Sequence, residues 1–465
     1  MGAFSFSTSR PPRLHRNRLV ARHVERSLRA GLCFVAMSLV ACQPGSPSDD
    51  ASVVTMPRVV YRHERPECPA LVRPTFSASG DADVPGEPRW TRSLRELSGE
   101  NPDIEMGGPP VAVVGVTGAG ISMWAQSHGG FMLDHQSGRV TLATIGSGVG
   151  PRMWLSNNTV LHYGGRHVGG FTLCDDGTLC SASARVGVEG DLISPSPPIL
   201  TYPAWSPVTR EVVARAGNDL LYAGCTDGQA HWMLQLPPVR ALNAGLYVRE
   251  SGEIVFVADT SYLFSPDGDV LRQNTIDALS LGLYNTSAAT FVEGCGALLV
   301  GHDRWAWLDA ETLTLGPPIV IPGGYPAFSS FTATEDCGVA AVVNPVVPTL
   351  VRFSREGDVL WGVPTGTARA PVALDDGGFL VVAVDGYQIF DADGNVRETV
   401  RHEAPIASCS FEATLAPDGT LFRVCAGDSP DNPYVAAIPT GVRPWGLYGP
   451  GEGIDFAHTN APPAR

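Results

Sequence analysis

The chain has 465 residues and a formal net charge of −15, and its 32 basic residues are all arginine, because lysine is absent. Schiff-base chemistry and a P-loop each require a lysine and are excluded, and a chain that is acidic beyond its first 41 residues is unsuited to neutralising nucleic-acid phosphates. High glycine and proline (52 and 39 residues) beside 44% hydrophobic residues describe a chain with many turns and a large core, not a disordered one. The first element is basic: Arg10, Arg13, Arg16, Arg18, Arg22, Arg26 and Arg29 against a single acid, Glu25. The apolar run GLCFVAMSLVA follows, Gly31 to Ala41. It is too short for a membrane-spanning helix, which needs about 20 residues, and has the length of a secretory signal core.

The run ends in Leu39-Val40-Ala41-Cys42. This resembles the lipobox of bacterial lipoproteins. The resemblance implies cleavage before Cys42 and a thioether-linked diacylglycerol on it, a membrane anchor made of several acyl chains. Gln43 follows where an aspartate would imply retention at the inner membrane, so the family rule points to the outer membrane or the cell surface. The expected organisation is a signal peptide at 1–41, a lipidated cysteine and tether at 42–79, a folded domain at 80–450 and a tail at 451–465. The tether opens on QPGSPSDD, a composition that keeps a chain extended.

Self-similarity then dominates. EIVFVADTSYLFSPDGDVLRQ from Glu253, GVAAVVNPVVPTLVRFSREGDVLWGV from Gly338 and GFLVVAVDGYQIFDADGNVRETV from Gly378 share one plan. Each reads as apolar strand, loop, apolar strand, acidic-glycine turn and a further strand. Turn glycines fall at Gly138, Gly177, Gly228, Gly268, Gly357, Gly394 and Gly441, with Thr312 standing near an eighth turn. The step is about 43 residues, the size of a four-stranded propeller blade. Short stretches such as RMWLS, GLYVR, ATFV, FSSFTAT and SFEATLA precede the units and supply first strands. The fold expected is all-β: a seven- or eight-bladed β-propeller of four-stranded antiparallel blades, with eight favoured by the turn count and a tandem β-sandwich as the alternative.

Trp232, Trp361 and Trp445 each sit four residues past a turn glycine, and Trp90 does the same after Gly86. Both Trp90 and Trp445 therefore look like members of outer strands, and one of them is surplus. Together with Asp391-Ala392-Asp393-Gly394, these tryptophans resemble the quinoprotein-type (PQQ-type) propeller repeat over about residues 80 to 450. That resemblance implies a quinone-dependent dehydrogenase with calcium, a catalytic aspartate and a ring of two adjacent cysteines. No two cysteines are adjacent here, so no cofactor is expected.

Eight cysteines remain beyond Cys33 and Cys42, an even number suited to an oxidising compartment. Cys174 and Cys180 flank one turn, and Cys409 and Cys425 flank another; both pairs are candidates for cross-strand disulfides. Cys295 and Cys337 occupy equivalent places in adjacent units, and pair either with each other or with Cys68 and Cys225. No metal-ligand spacing is present. Asp391, Asp393 and Asn395 alternate as calcium ligands do, but they lack the rest of a calcium loop and read as a blade turn. Histidines 128, 135, 162, 167, 231 and 302 are scattered singly. Trp305 and Trp307 share one strand face, either as core or as an exposed aromatic patch.

No catalytic set emerges. The function expected is a non-catalytic binding or scaffold lipoprotein, held at a membrane through Cys42, with a protein or glycan partner on a propeller face. Outer-membrane barrel-assembly lipoproteins resemble it in anchor and architecture. A propeller hydrolase or lyase acting on an extracellular polymer is the alternative.

Overall fold

The computed structural model describes residues 56–68, 84–93, 95–97, 110–116, 121–125, 129–133, 136–145, 152–154, 159–164, 167–173, 179–186, 200–206, 208–216, 220–225, 230–237, 245–276, 287–301, 303–321, 331–343, 347–365, 371–403, 406, 409–416, 418–425 and 433–445. The chain divides into two compact units, 1–55 and 56–465, and every described residue lies in the second. Among the described residues no helix is long and apolar enough to cross a membrane.

The described strands form eight antiparallel sheets. In chain order their first strands are Pro110–Val116, Arg152–Trp154, Leu200–Trp205, Gly245–Val248, Ser287–Val292, Phe331–Ala333, Pro371–Ala373 and Cys409–Leu415. Five of these coincide with the short first-strand stretches read from the sequence. Within each sheet, strands pair in order from first to last. The first strands of the third to seventh sheets touch in turn, and Pro110–Val116 touches both Cys409–Leu415 and Arg152–Trp154. The arrangement is a β-propeller, consistent with eight blades.

Burial explains the sequence plan of each unit. A middle strand has a neighbouring sheet on both faces, so it reads as a continuous apolar run rather than an alternating one. Val339–Val343 (VAAVV) and Ile254–Val257 (IVFV) are buried throughout. Outermost strands have one neighbour fewer; Val359–Pro364 and Val396–Arg401 alternate between exposed and half-buried positions. The period of two divides a middle strand between two cores. Ile254 and Phe256 pack with Val213, Leu221 and Trp232 of the third sheet. Val255 and Val257 pack with Phe291, Leu299 and Leu308 of the fifth. The core is thus a series of layers between sheets. Trp305 and Trp307 are both buried in the layer between the fifth and sixth sheets, so they are core and not an exposed patch.

The four-stranded antiparallel plan holds, and the third sheet carries a fifth strand in addition, Arg58–Arg62, outside Ala230–Gln235. That strand falls inside 42–79, so the tether does not run unstructured through it; an apolar Val-Val-Tyr segment finds a sheet edge to satisfy its backbone. Trp445 is not on an outer strand. The eighth sheet takes Trp90–Ser93 as its outermost strand, beside Tyr434–Pro439. Past Gly441 the chain crosses instead to the seventh sheet, where Pro444 bridges Leu374 and Trp445 N–H donates to the Ala373 carbonyl at 2.8 Å. In the fifth sheet the left-handed residue is Leu313 (φ 56°), not Thr312. The Asp309 carboxylate accepts the backbone N–H and the hydroxyl of Thr312 at 2.7 Å and shapes that turn without glycine.

Candidate interaction site at the turn-bearing face

In an antiparallel blade, the turns joining first to second and third to fourth strands lie at one end. Most of the described tight turns and two of the three described disulfides gather there. Left-handed residues recur at the first-to-second turns: Arg210, Gly252, Gly294, Cys337, Gly377 and Gly419, at steps of about 42 residues. This second register escaped the sequence reading because two of its six members are not glycine. Cys337 accepts a conformation that disfavours a side chain, and its Cβ carries the sulfur that bonds Cys295 of the neighbouring fifth sheet.

Tryptophan supplies the other lock between sheets. A Cβ on Gly268 would stand 2.8 Å from the Trp232 ring, and one on Gly394 would stand 2.8 Å from Trp361. Both glycines have positive φ (81° and 84°), so geometry and packing alike require them. Trp232 Nε1 donates to the Pro266 carbonyl at 3.1 Å and Trp361 Nε1 to the Ala392 carbonyl at 2.9 Å. Trp90 covers Gly138 in the same way, from the eighth sheet to the first. Between the fifth and sixth sheets Ile319 takes that place over Gly357. The tryptophan mark in the sequence is therefore an inter-sheet clamp, with the indole providing area and a donor together.

The most concentrated charge chemistry lies where the N-terminal strand meets the third and fourth sheets. Glu211 follows the first-to-second turn of the third sheet, and its side chain is 1% exposed. His231, on Ala230–Gln235, places Nδ1 2.8 Å from Glu211 Oε1 and Nε2 3.8 Å from Asp267 Oδ1. The Glu211 contact is a close polar approach and not an aligned hydrogen bond. Arg65, beyond the N-terminal strand, closes the ring: Nε lies 3.6 Å from Glu211 Oε2 and Nη2 donates to Asp267 Oδ1 at 2.8 Å. Two carboxylates thus alternate with an arginine and a histidine across three elements. A buried carboxylate needs such partners, since an isolated one is strongly disfavoured. Three further ties hold the same strand: Arg62 to Asp269 at 2.8 Å, His63 N–H to the His231 carbonyl at 2.8 Å, and the Cys68–Cys225 disulfide. An acid–histidine pair can orient a general base, but both ring nitrogens of His231 face carboxylates, so the arrangement holds a strand in place. The sequence treated His231 as solitary; Glu211 is distant along the chain, and only the sheet brings them together.

Other ionisable groups are likewise committed to the scaffold. Arg423 is buried in the second strand of the eighth sheet and donates to the carbonyls of Gly386 at 3.1 Å, Val384 at 3.4 Å and Ala383. Burial lowers its pKa to about 10, against the opposing pull of Asp385. Burial and then the Arg423 charge lower His402 to about 4, so it is neutral at pH 7. Burial would raise Asp336, but the Thr334 hydroxyl and Arg352 hold it below the usual carboxylate range. Asp391 is also lowered, first by the Asn395 side chain; its oxygens accept the backbone N–H groups of Asp393 and Asn395, which makes the segment a blade turn.

Cys409 and Cys425 are directly paired across two strands and joined by a disulfide at the end opposite the turns. The open pairings resolve as Cys295–Cys337 and Cys68–Cys225. Cys42, Cys174 and the side chain of Cys180 lie outside the described residues, as do His128, His135 and His302. Among the described residues no group of three or more His, Cys, Asp and Glu is placed to hold a metal.

No protein-family model matches the chain, and no curated protein does. Among solved structures, it is similar to the computationally designed Ika8 protein, with TM-score 0.50 and 14% identity, covering 71% of this chain and 98% of that one. BamB from Moraxella catarrhalis aligns with TM-score 0.47 and 12% identity, over 76% of this chain and 99% of that one. At these identities the first likeness is one of fold alone.

Proposed function

We propose that this protein is an exported, lipid-anchored binding scaffold. Cys42 holds it at the outer membrane or the cell surface, and one face of the propeller receives a protein or glycan partner. The observation that carries this reading is the use of its reactive groups. Among the described residues six cysteines are spent in three disulfides, and the buried polar groups Glu211, His231 and Arg423 are spent in joining sheets and turns. A braced, rigid ring is what a platform for partners needs. Disulfides persist mainly outside the reducing cytoplasm, which agrees with an exported protein.

The test begins with Cys42→Ala, which should move the protein from the membrane fraction to the soluble one. A variant that still sediments with membranes after high-salt washing would refute the anchor. Gentle crosslinking in cells followed by capture of the wild-type chain from detergent extract should recover a partner. Recovery of none, together with turnover of an extracellular polymer by the purified chain, would replace the scaffold by the hydrolase or lyase reading.

A further inference from the structure

The N-terminal strand is the last described segment on the path back to Cys42, and it is a bracket rather than a leash. It is hydrogen-bonded along Ala230–Gln235, disulfide-linked through Cys68 and fixed by the Arg65–Glu211–His231–Asp267 ring. The roughly 13 residues between Cys42 and Met56 span at most about 45 Å even fully extended. A lipid on Cys42 therefore holds Met56 within about 45 Å of the bilayer.

The rim at Met56–Arg62 is suited to a lipid surface. Met56 (54% exposed), Val59 (50%) and Val60 (40%) present apolar side chains to solvent. Arg62 reaches Asp269, and the chain leaves that turn through Leu271, which is 51% exposed, and the exposed Arg272. Exposed Arg58 lies on the N-terminal strand itself. Apolar side chains flanked by arginines suit the boundary between acyl chains and phosphate headgroups. Val359, Leu360 and Val396 are as exposed on the sixth and seventh sheets, but no short path leads from them to an anchor.

We propose that the rim of the third and fourth sheets, from Met56 to Arg62 and including Leu271 and Arg272, rests on the lipid surface and sets how the propeller is presented. This rests on the reading of Cys42 as the lipidated residue. Weak contacts suffice, because the anchor already supplies a high local concentration.

The experiment uses the full lipidated chain on vesicles of phosphatidylethanolamine and phosphatidylglycerol, with amide hydrogen exchange compared on and off the vesicles. Amides of 58–62 and 270–275 should exchange about tenfold more slowly on vesicles, while those of 396–401 are unchanged. Val60→Glu with Leu271→Glu, both at exposed positions, should remove the protection and leave sedimentation with vesicles intact. Protection of 396–401 instead, or sedimentation with no protection at 58–62, would overturn the orientation and leave the anchor standing. Equal sedimentation of Cys42→Ala and wild type would remove the anchor, and the proposal with it.

Discussion

The third and eighth sheets each receive a strand from the N-terminal part of the chain, and the two strands have different jobs. In the eighth sheet Trp90–Ser93 is the fourth strand, without which the sheet would have three. It pairs with Tyr434–Pro439, and Trp90 clamps Gly138 of the first sheet, so it closes the ring. In the third sheet the fourth place is already filled, and its Trp232 already clamps Gly268. The added Arg58–Arg62 is surplus to the repeat and is held by charges and a disulfide. The two sheets also bury charge differently. Arg423 donates to carbonyls of the adjoining sheet, whereas Glu211 lies against the side chains of an arginine and a histidine. A strand's place in the ladder decides whether it belongs to the fold or to an accessory built on it.

This comparison can be broken at graded points. Arg423→Met should cost most, about 4 kcal/mol, since it strands buried carbonyls at the interface of the seventh and eighth sheets; denaturant unfolding would measure it. Trp90→Ala should cost about 3 kcal/mol and lower the global Tm, because a clamp at the closure is lost with its packing. If instead it only loosens residues 90–93, the strand is an accessory too and the distinction fails. Replacing Cys68 and Cys225 together by alanine should cost about 3 kcal/mol or less, read as faster exchange at 58–62 with the amides of the sixth and seventh sheets unaffected. Equal loosening throughout would show that the N-terminal strand belongs to the fold.

The next effect is a slope rather than a fixed cost. His402 titrates near 4 in the folded chain against an ordinary 6.5. The unfolded chain therefore takes up the proton first, and stability present above pH 6.5 is lost as pH falls towards 4. His402→Gln should flatten that part of the Tm-against-pH curve; an unchanged curve would place the acid sensitivity elsewhere. Smallest is Arg62→Ala, which breaks an exposed pair and should change stability by less than about 0.5 kcal/mol.

Much of the repeat was legible because its signals are local. Apolar runs, acidic-glycine turns and the tryptophan four residues on all report contacts that recur in several units. Where a unit departs from the repeat, that legibility fails. Trp445 keeps the spacing of an outer-strand tryptophan, yet Trp90 holds the outer place in that sheet, and only pairing with Tyr434–Pro439 distinguishes them. Cys337 hides a turn register because a disulfide asks for a Cβ where glycine is the easier residue.

The sequence by itself determined the propeller class, the length of its unit and the acidic, lysine-free character of the surface, since each follows from composition or from a short periodic pattern. Tertiary structure alone decided that Cys68 meets Cys225 and Cys295 meets Cys337, which N-terminal strand completes the ring, and that Glu211, His231, Asp267 and Arg65 form one polar set. These are pairings between residues far apart in the chain. Their free energy depends on which sheets are neighbours, and no local pattern of side chains encodes that.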